Sequence, residues 1–213
     1  MKVLVIGANG KIAKRAIEFL KEEGHEPVAM LRNTDQIPHF EKLGVKTVIA
    51  DLEKDFSHAY YGVDAVMFAA GSGPHTGLDK TIVIDQEGAI SAIDLANRFG
   101  VKRFILLSSM SADEPKAGPK ALQPYLYAKG RADAYLRTTN LNYTIVRPGP
   151  LTNEIRTDNV LIESKIQTSN SKSIPREDVA RLLAITVAEE NTYRRTFDVL
   201  SGETEISDAL HTF

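Results

Sequence analysis

Two groups of residues in this sequence have types and spacings suited to chemistry. The first is Gly7-Ala8-Asn9-Gly10-Lys11-Ile12-Ala13, which follows directly on the apolar run Val3-Leu4-Val5-Ile6. A glycine turn between a buried strand and a helix lets the backbone come close to a diphosphate. The helix that follows aims its free N–H groups and positive dipole end at the same point. Gly7, Asn9, Gly10, Lys11 and Ile12 are therefore candidate cofactor-binding residues, and Ala13 is small enough for helix and strand to pack. The spacing is Gly-x-x-Gly-x-x-Ala, looser than Gly-x-Gly-x-x-Gly, so this turn alone is weak support for a dinucleotide site. The second group is Leu107-Ser108-Ser109 followed by Tyr125-Leu126-Tyr127-Ala128-Lys129. Tyr125 and Lys129 are four apart and share a helix face, whereas Tyr127 points elsewhere. An ammonium beside a phenol is expected to pull its pKa below the ordinary value of about 10 and ready it for proton exchange. A hydroxyl at the strand end, from Ser109 or from Ser108, can hold a substrate oxygen.

The elements that must position these groups alternate along the chain. Strand-like runs fall at Val3–Ile6, Pro27–Leu31, Lys46–Ile49, Ala65–Ala69, Arg103–Leu107, Tyr143–Val146 and Thr196–Leu200. Helical segments fall at Lys11–Glu22, Thr34–Leu43, Phe56–Tyr61, Asp79–Phe99, Tyr125–Thr138 and Arg176–Glu189. Ile82, Ala89, Ile93 and Ala96 recur at helical spacing. The early strands are unbroken apolar runs, as expected when helices cover both faces of a sheet. The pattern predicts an α/β Rossmann fold, a single domain over residues 1–213 with a doubly wound, mostly parallel sheet. Its cofactor half covers roughly residues 1–110, and the substrate-facing elements roughly 111–213. Gly71–Gly77, Ser111–Pro124 and Thr152–Ser173 read as loops on the ligand-binding side.

Further cofactor contacts are expected at the strand ends. The second strand ends in Arg32, where NAD-preferring sites usually carry an acidic residue. A guanidinium there suits the 2′-phosphate of NADP, so NADP(H) is expected over NAD(H), the alternative being an ordinary exposed arginine. Asp51 and Leu52 after the third strand, and Ala69, Ala70 and Gly71 after the fourth, are placed to let a dinucleotide lie across the sheet edge.

Composition bounds the rest. The 213 residues carry a net charge of −2 with neither a basic patch nor a polybasic tail, which argues against nucleic-acid and membrane-surface roles. The absence of cysteine excludes disulfides, thiolate metal sites and a cysteine nucleophile. No metal site is expected, because His25, His39, His58, His75 and His211 are scattered. His75 lies in a glycine-rich loop and is either a substrate contact or an exposed loop residue. The acidic residues read as solvated charge spread over helices. With no signal segment and no membrane-spanning run, the chain is expected to be cytoplasmic, a monomer or a homodimer acting on a small molecule.

Taken together, the glycine turn, the Ser109/Tyr125/Lys129 set, Arg147-Pro148-Gly149-Pro150 and Ile174-Pro175-Arg176-Glu177-Asp178-Val179-Ala180 resemble the short-chain dehydrogenase/reductase superfamily. The chain is most similar to its compact atypical members, often labelled NAD-dependent epimerase/dehydratase-like or NAD(P)-binding proteins. The resemblance implies that Tyr125 is the general acid/base, that Lys129 binds the nicotinamide ribose and lowers the tyrosine's pKa, and that Ser109 orients the substrate oxygen. It also implies that Pro148 and Gly149 lie against the nicotinamide. The implied activity is an NADP(H)-dependent hydride transfer to or from a small carbonyl or planar acceptor. Full-length epimerases of the superfamily carry a large C-terminal region, whereas about 60 residues follow Pro150 here, so nucleotide-sugar epimerisation is not expected. Compact relatives also include flavin or quinone reductases that do not use the tyrosine and non-catalytic dinucleotide-binding redox sensors, and both remain alternatives.

Overall fold

In strand β1 (Lys2–Ile6), Val3 and Val5 turn to one side and Leu4 and Ile6 to the other, and all four are fully buried. That two-sided burial is why the run is continuous rather than alternating. The computed structural model describes residues 1–73, 76–167 and 172–213. Five further strands follow: β2 (Glu26–Leu31), β3 (Lys46–Ile49), β4 (Ala65–Phe68), β5 (Arg103–Leu107) and β6 (Asn142–Pro148). Beyond them lie β7 (Leu151–Thr152), β8 (Asn159–Glu163), β9 (Ile174–Pro175), β10 (Arg195–Ser201) and β11 (Thr204–Glu205). The main sheet has nine strands in the order β11-β8-β10-β6-β5-β4-β1-β2-β3, while β7 and β9 pair separately. It is parallel from β3 to β10, and only β8 and β11 run against their neighbours. The fold is the expected Rossmann type, with the strand order reversing between β1 and β4, where such sheets open a crevice for ligands.

Helices cover both faces. On one, α1 (Lys11–Glu22) contributes Ile12, Ala13, Ala16 and Ile17 and α6 (Arg176–Thr186) contributes Val179, Ala180 and Leu183 to a shared core. On the other, α3 (Leu78–Lys80) passes through a π-helical stretch, Thr81–Gly88, into α4 (Ala89–Arg98). This helix packs beside α5 (Gln123–Arg137) through Ala89, Ala92, Ile93, Ala132 and Leu136. The expected helix over Thr34–Leu43 is instead a 3₁₀ turn, Thr34–Gln36, followed by α2 (Ile37–Lys42), with Pro38 in its first turn where a missing N–H costs nothing. The short piece near Phe56–Tyr61 is a 3₁₀ turn over Ser57–Tyr60.

Two expectations are corrected in the second half. The segment Thr152–Ser173 is not all loop, since it contains β8, whose Val160 is its one fully enclosed residue and which is held by pairing with β10 and β11. So short a run carries little periodicity to recognise. Beyond β10 the chain continues into β11 and α7 (Ile206–His211), where the Glu205 carboxylate accepts from the N–H groups of Ser207 (2.7 Å) and Asp208 (3.3 Å). Nor are the acidic residues all solvated, because Asp85, Asp133, Asp178 and Asp198 are buried. Asp178 explains part of the Ile174–Ala180 motif: it accepts from Thr157 N–H (3.0 Å) and Asp158 N–H (2.9 Å), fastening the chain before β8 to α6.

At the opposite ends of the strands from the crevice, Arg103 at the start of β5 is fully buried and has no carboxylate partner among the described residues. Its guanidinium donates to Asn142 O (2.9 Å), Thr186 O (2.8 Å), Thr144 Oγ1 (2.7 Å) and Thr192 Oγ1 (2.7 Å), joining β5, β6 and the end of α6. Burial pushes its pKa down to about 10, with Tyr193 opposing, so it stays charged near neutrality. Arg103→Met removes these donors and strands their acceptors. It is expected to cost about 3 kcal/mol, lowering Tm by about 6–12 °C. A calorimetric Tm within about 2 °C of the native protein would refute this role.

Candidate functional site

The C-terminal ends of β1, β2, β3 and β4 surround an open cleft of ≈ 380 Å³. Gly7, Asn9 and Gly10 line it from the first turn, Arg32 from the end of β2, Asp51 and Leu52 from beyond β3, and Ala69, Ala70 and Gly71 from beyond β4. Nine residues expected from the sequence thus line one cavity. Gly7 has φ +83°, and a Cβ there would lie 2.6 Å from the backbone of Ala70, so only glycine fits where the first and fourth strand ends meet. Among the described residues no side chain caps α1, and Lys14 N–H is bonded back to Gly10 O (3.0 Å), which leaves the N–H groups at the start of the helix for an anion. Uncapped N–H groups and a turn that tolerates no side chain are what a dinucleotide diphosphate requires, so these residues fit that group.

Lys11 and Ile12 lie outside the lining. Lys11 is exposed, and the Ile12 side chain is packed into the core, so Ile12 offers a phosphate only its backbone N–H. The sequence reading missed Glu53, Ser72, Thr76, Lys80 and Ile84, which also line the cleft. Glu53 and Lys80 form an ion pair at 2.7 Å, joining the segment after β3 to α3. No sequence signal links residues 27 apart in this way. His75 lies outside the described residues.

The second group gathers beside the cleft along one face of α5, where Tyr125, Lys129 and Asp133 follow at intervals of four. The Lys129 ammonium is 5.7 Å from the Tyr125 ring centre. It does not project freely, however: it donates to Leu107 O (3.1 Å) and Ala70 O (3.4 Å), and Asp85 Oδ1 lies 3.6 Å away. The expected lowering of the tyrosine pKa is not found. Burial raises it, and although Lys129 pulls it down, Asp85 and Asp133 push the other way. The Ser108 side chain is buried. Ser109 is partly open, with its hydroxyl donating to Met110 O at 3.2 Å. Tyr127 faces outward, 46 % exposed.

Below this face, Arg147 of β6 is buried against Asp133. Its Nε donates to Asp133 Oδ2 (2.9 Å) and Nη2 lies 2.8 Å from the same oxygen. Asp113 is 3.3 Å from Arg147 Nη1, and Lys165 is 3.6 Å from Asp113. Burial raises the pKa of Asp133 against the pull of Arg147, whereas Arg147 and Lys165 outweigh burial at Asp113 and hold it low. Arg147 immediately precedes Pro148 and Gly149, so the pair fixes α5 relative to that turn. Pro148 and Gly149 lie outside the cleft, with Gly149 packed on Leu200 and Met110. The sequence pattern contained a signal for Asp133, four residues beyond Lys129. Asp85 had none beyond its helix.

The chain can now be set beside known proteins. Residues 7–190 match the family described as NAD(P)H-binding. A Bacillus subtilis relative, uncharacterized sugar epimerase YhfK, is 40% identical over 214 residues, which is 99% of each chain. A solved Bacillus halodurans structure that carries an NAD-dependent epimerase/dehydratase name is 48% identical, covers 100% of both chains and superposes with a TM-score of 0.97. The oxidoreductase ylbE of Lactococcus lactis is 30% identical, with a TM-score of 0.88 over 100% of this chain and 96% of that one. The sheet order, the glycine turn and these matches agree: the chain belongs to the NAD(P)H-binding family.

Proposed function

We propose that this protein is an NADP(H)-dependent oxidoreductase that reduces a small carbonyl or planar acceptor at Ser109, Tyr125 and Lys129. One observation carries the reading. Ala70 lines the cleft and its carbonyl accepts from Lys129, so the glycine turn and the tyrosine helix meet at a single residue. This contact supports reading two motifs more than a hundred residues apart as parts of one site.

In this reading Gly7, Asn9 and Gly10, with the first N–H groups of α1, hold the diphosphate, and Arg32 pairs with the ribose 2′-phosphate. The bound reduced nicotinamide supplies the hydride. Ser109 donates to the acceptor oxygen and orients it, and Tyr125 delivers the proton as negative charge develops there. Lys129 holds the ends of β4 and β5 and keeps a positive charge beside the phenol. The name of the Bacillus subtilis relative points toward sugar epimerisation.

Arg32→Ala tests the cofactor. It is expected to weaken NADPH binding about tenfold or more while leaving NADH nearly unchanged, as loss of hydrogen bonds to a charged phosphate should. Equal weakening of both, measured by calorimetric titration, would count against a 2′-phosphate contact. Tyr125→Phe tests the chemistry, with an expected loss of roughly 10²–10⁴ in kcat on a carbonyl acceptor and unchanged NADPH affinity. Full turnover of a flavin or quinone by that variant would replace the proton-donor reading with hydride transfer alone.

A further inference from the structure

Asp85 lies in the π-helical stretch between α3 and α4 and is fully buried. Its Oδ2 accepts the N–H of Ser72 at 2.9 Å. Its Oδ1 receives no hydrogen bond from the described residues and faces Lys129 Nζ at 3.6 Å. A Cβ on Gly71 would come within 3.0 Å of that oxygen, so the carboxylate is wedged between the turn after β4 and the ammonium. An unpaired carboxylate in such a place would be too costly to keep, and Lys129 is the cation it faces.

The ammonium, in turn, has three protons and three protein oxygens around it, those of Leu107, Ala70 and Asp85. The charged groups that face Tyr125 are Lys129 and Asp133 on its own helix and Asp85 from the π-helical stretch. Asp133 is itself paired with Arg147 of β6. Tyr125 thus stands beside two internally balanced ion pairs and not beside a free cation.

We propose that Asp85 is a positioning residue of this site, one that locks Lys129 onto the strand ends at Ala70 and Leu107 and offsets its charge at Tyr125, so that the tyrosine rests protonated and serves as the proton donor when an acceptor is reduced. The proposal rests on the reading of Tyr125 as the acid of the reaction. In that direction the acceptor carbon takes hydride from the reduced nicotinamide. The acceptor oxygen takes the proton of the Tyr125 hydroxyl, and solvent then reprotonates the phenolate.

The test is the ionisation of Tyr125, followed by phenolate absorbance and isolated by subtracting Tyr125→Phe in each background. Asp85→Asn leaves the ammonium uncompensated and is expected to lower the Tyr125 midpoint by about one pH unit, roughly tenfold in its ionisation constant. Asp85→Glu, which restores the charge, is expected to bring the midpoint back. An unchanged midpoint in Asp85→Asn overturns the proposal. Should that variant not fold, reductive methylation of the native protein with mass mapping needs no substitution. Lys129 is expected to stay unmodified without cofactor, and ready methylation there overturns the lock. Both readouts are made without cofactor or acceptor, so failure to find turnover would remove the oxidoreductase reading and leave these results standing.

Discussion

A lysine ammonium taken out of water must recover its hydration from fixed oxygens, and Lys129 does so from the carbonyls that end β4 and β5 and from Asp85. The Ala70 carbonyl lies just beyond β4, beside the point where the strand order reverses, so one side chain ties α5 to the crevice that the topology opens. The arrangement of the site follows from this contact. It fixes Tyr125 one helical turn away, joins the turn containing Ala70 and Gly71 to the tyrosine helix, and recruits the π-helical stretch through its aspartate.

A second buried pair, Arg147 with Asp133, repeats the device one turn further along α5. Between them the two pairs hold the helix at Lys129 and Asp133, against β4 and β5 on one side and β6 on the other. Neither pair needs to add much to stability to matter, since buried ion pairs roughly break even against apolar packing. What they provide is registration of Tyr125 relative to the strand ends. Arg103, at the far ends of the strands, does the corresponding work for the scaffold through uncharged acceptors.

Much of this was legible in the sequence. Strands buried on both faces write themselves as unbroken apolar runs, and the turn Gly7–Gly10 follows the first of them, so the Rossmann frame and nine residues of the cleft lining could be read directly, though Glu53 could not. The Tyr125–Lys129 spacing gave the helix face. The electrostatics around it were not legible, because they depend on Asp85, forty residues before Tyr125, and on the partial burial of the tyrosine. A sequence locates a lysine near a tyrosine but does not reveal that an aspartate from another helix already balances it. Strand β8 was hidden for a different reason: its pairing with β10 and β11 makes it a strand, and its own five residues bury little.

The central claim is that the cleft and the tyrosine helix form one dinucleotide site. The chain contains no tryptophan, so the fluorescence of the reduced nicotinamide can be followed with little interference. Titration of the native protein with NADPH is the most direct measurement, because the signal comes from the end of the cofactor that should reach Tyr125. The account predicts saturable binding of one NADPH per chain at micromolar concentration, with enhanced emission as the nicotinamide leaves water. An unchanged emission up to millimolar NADPH would contradict it.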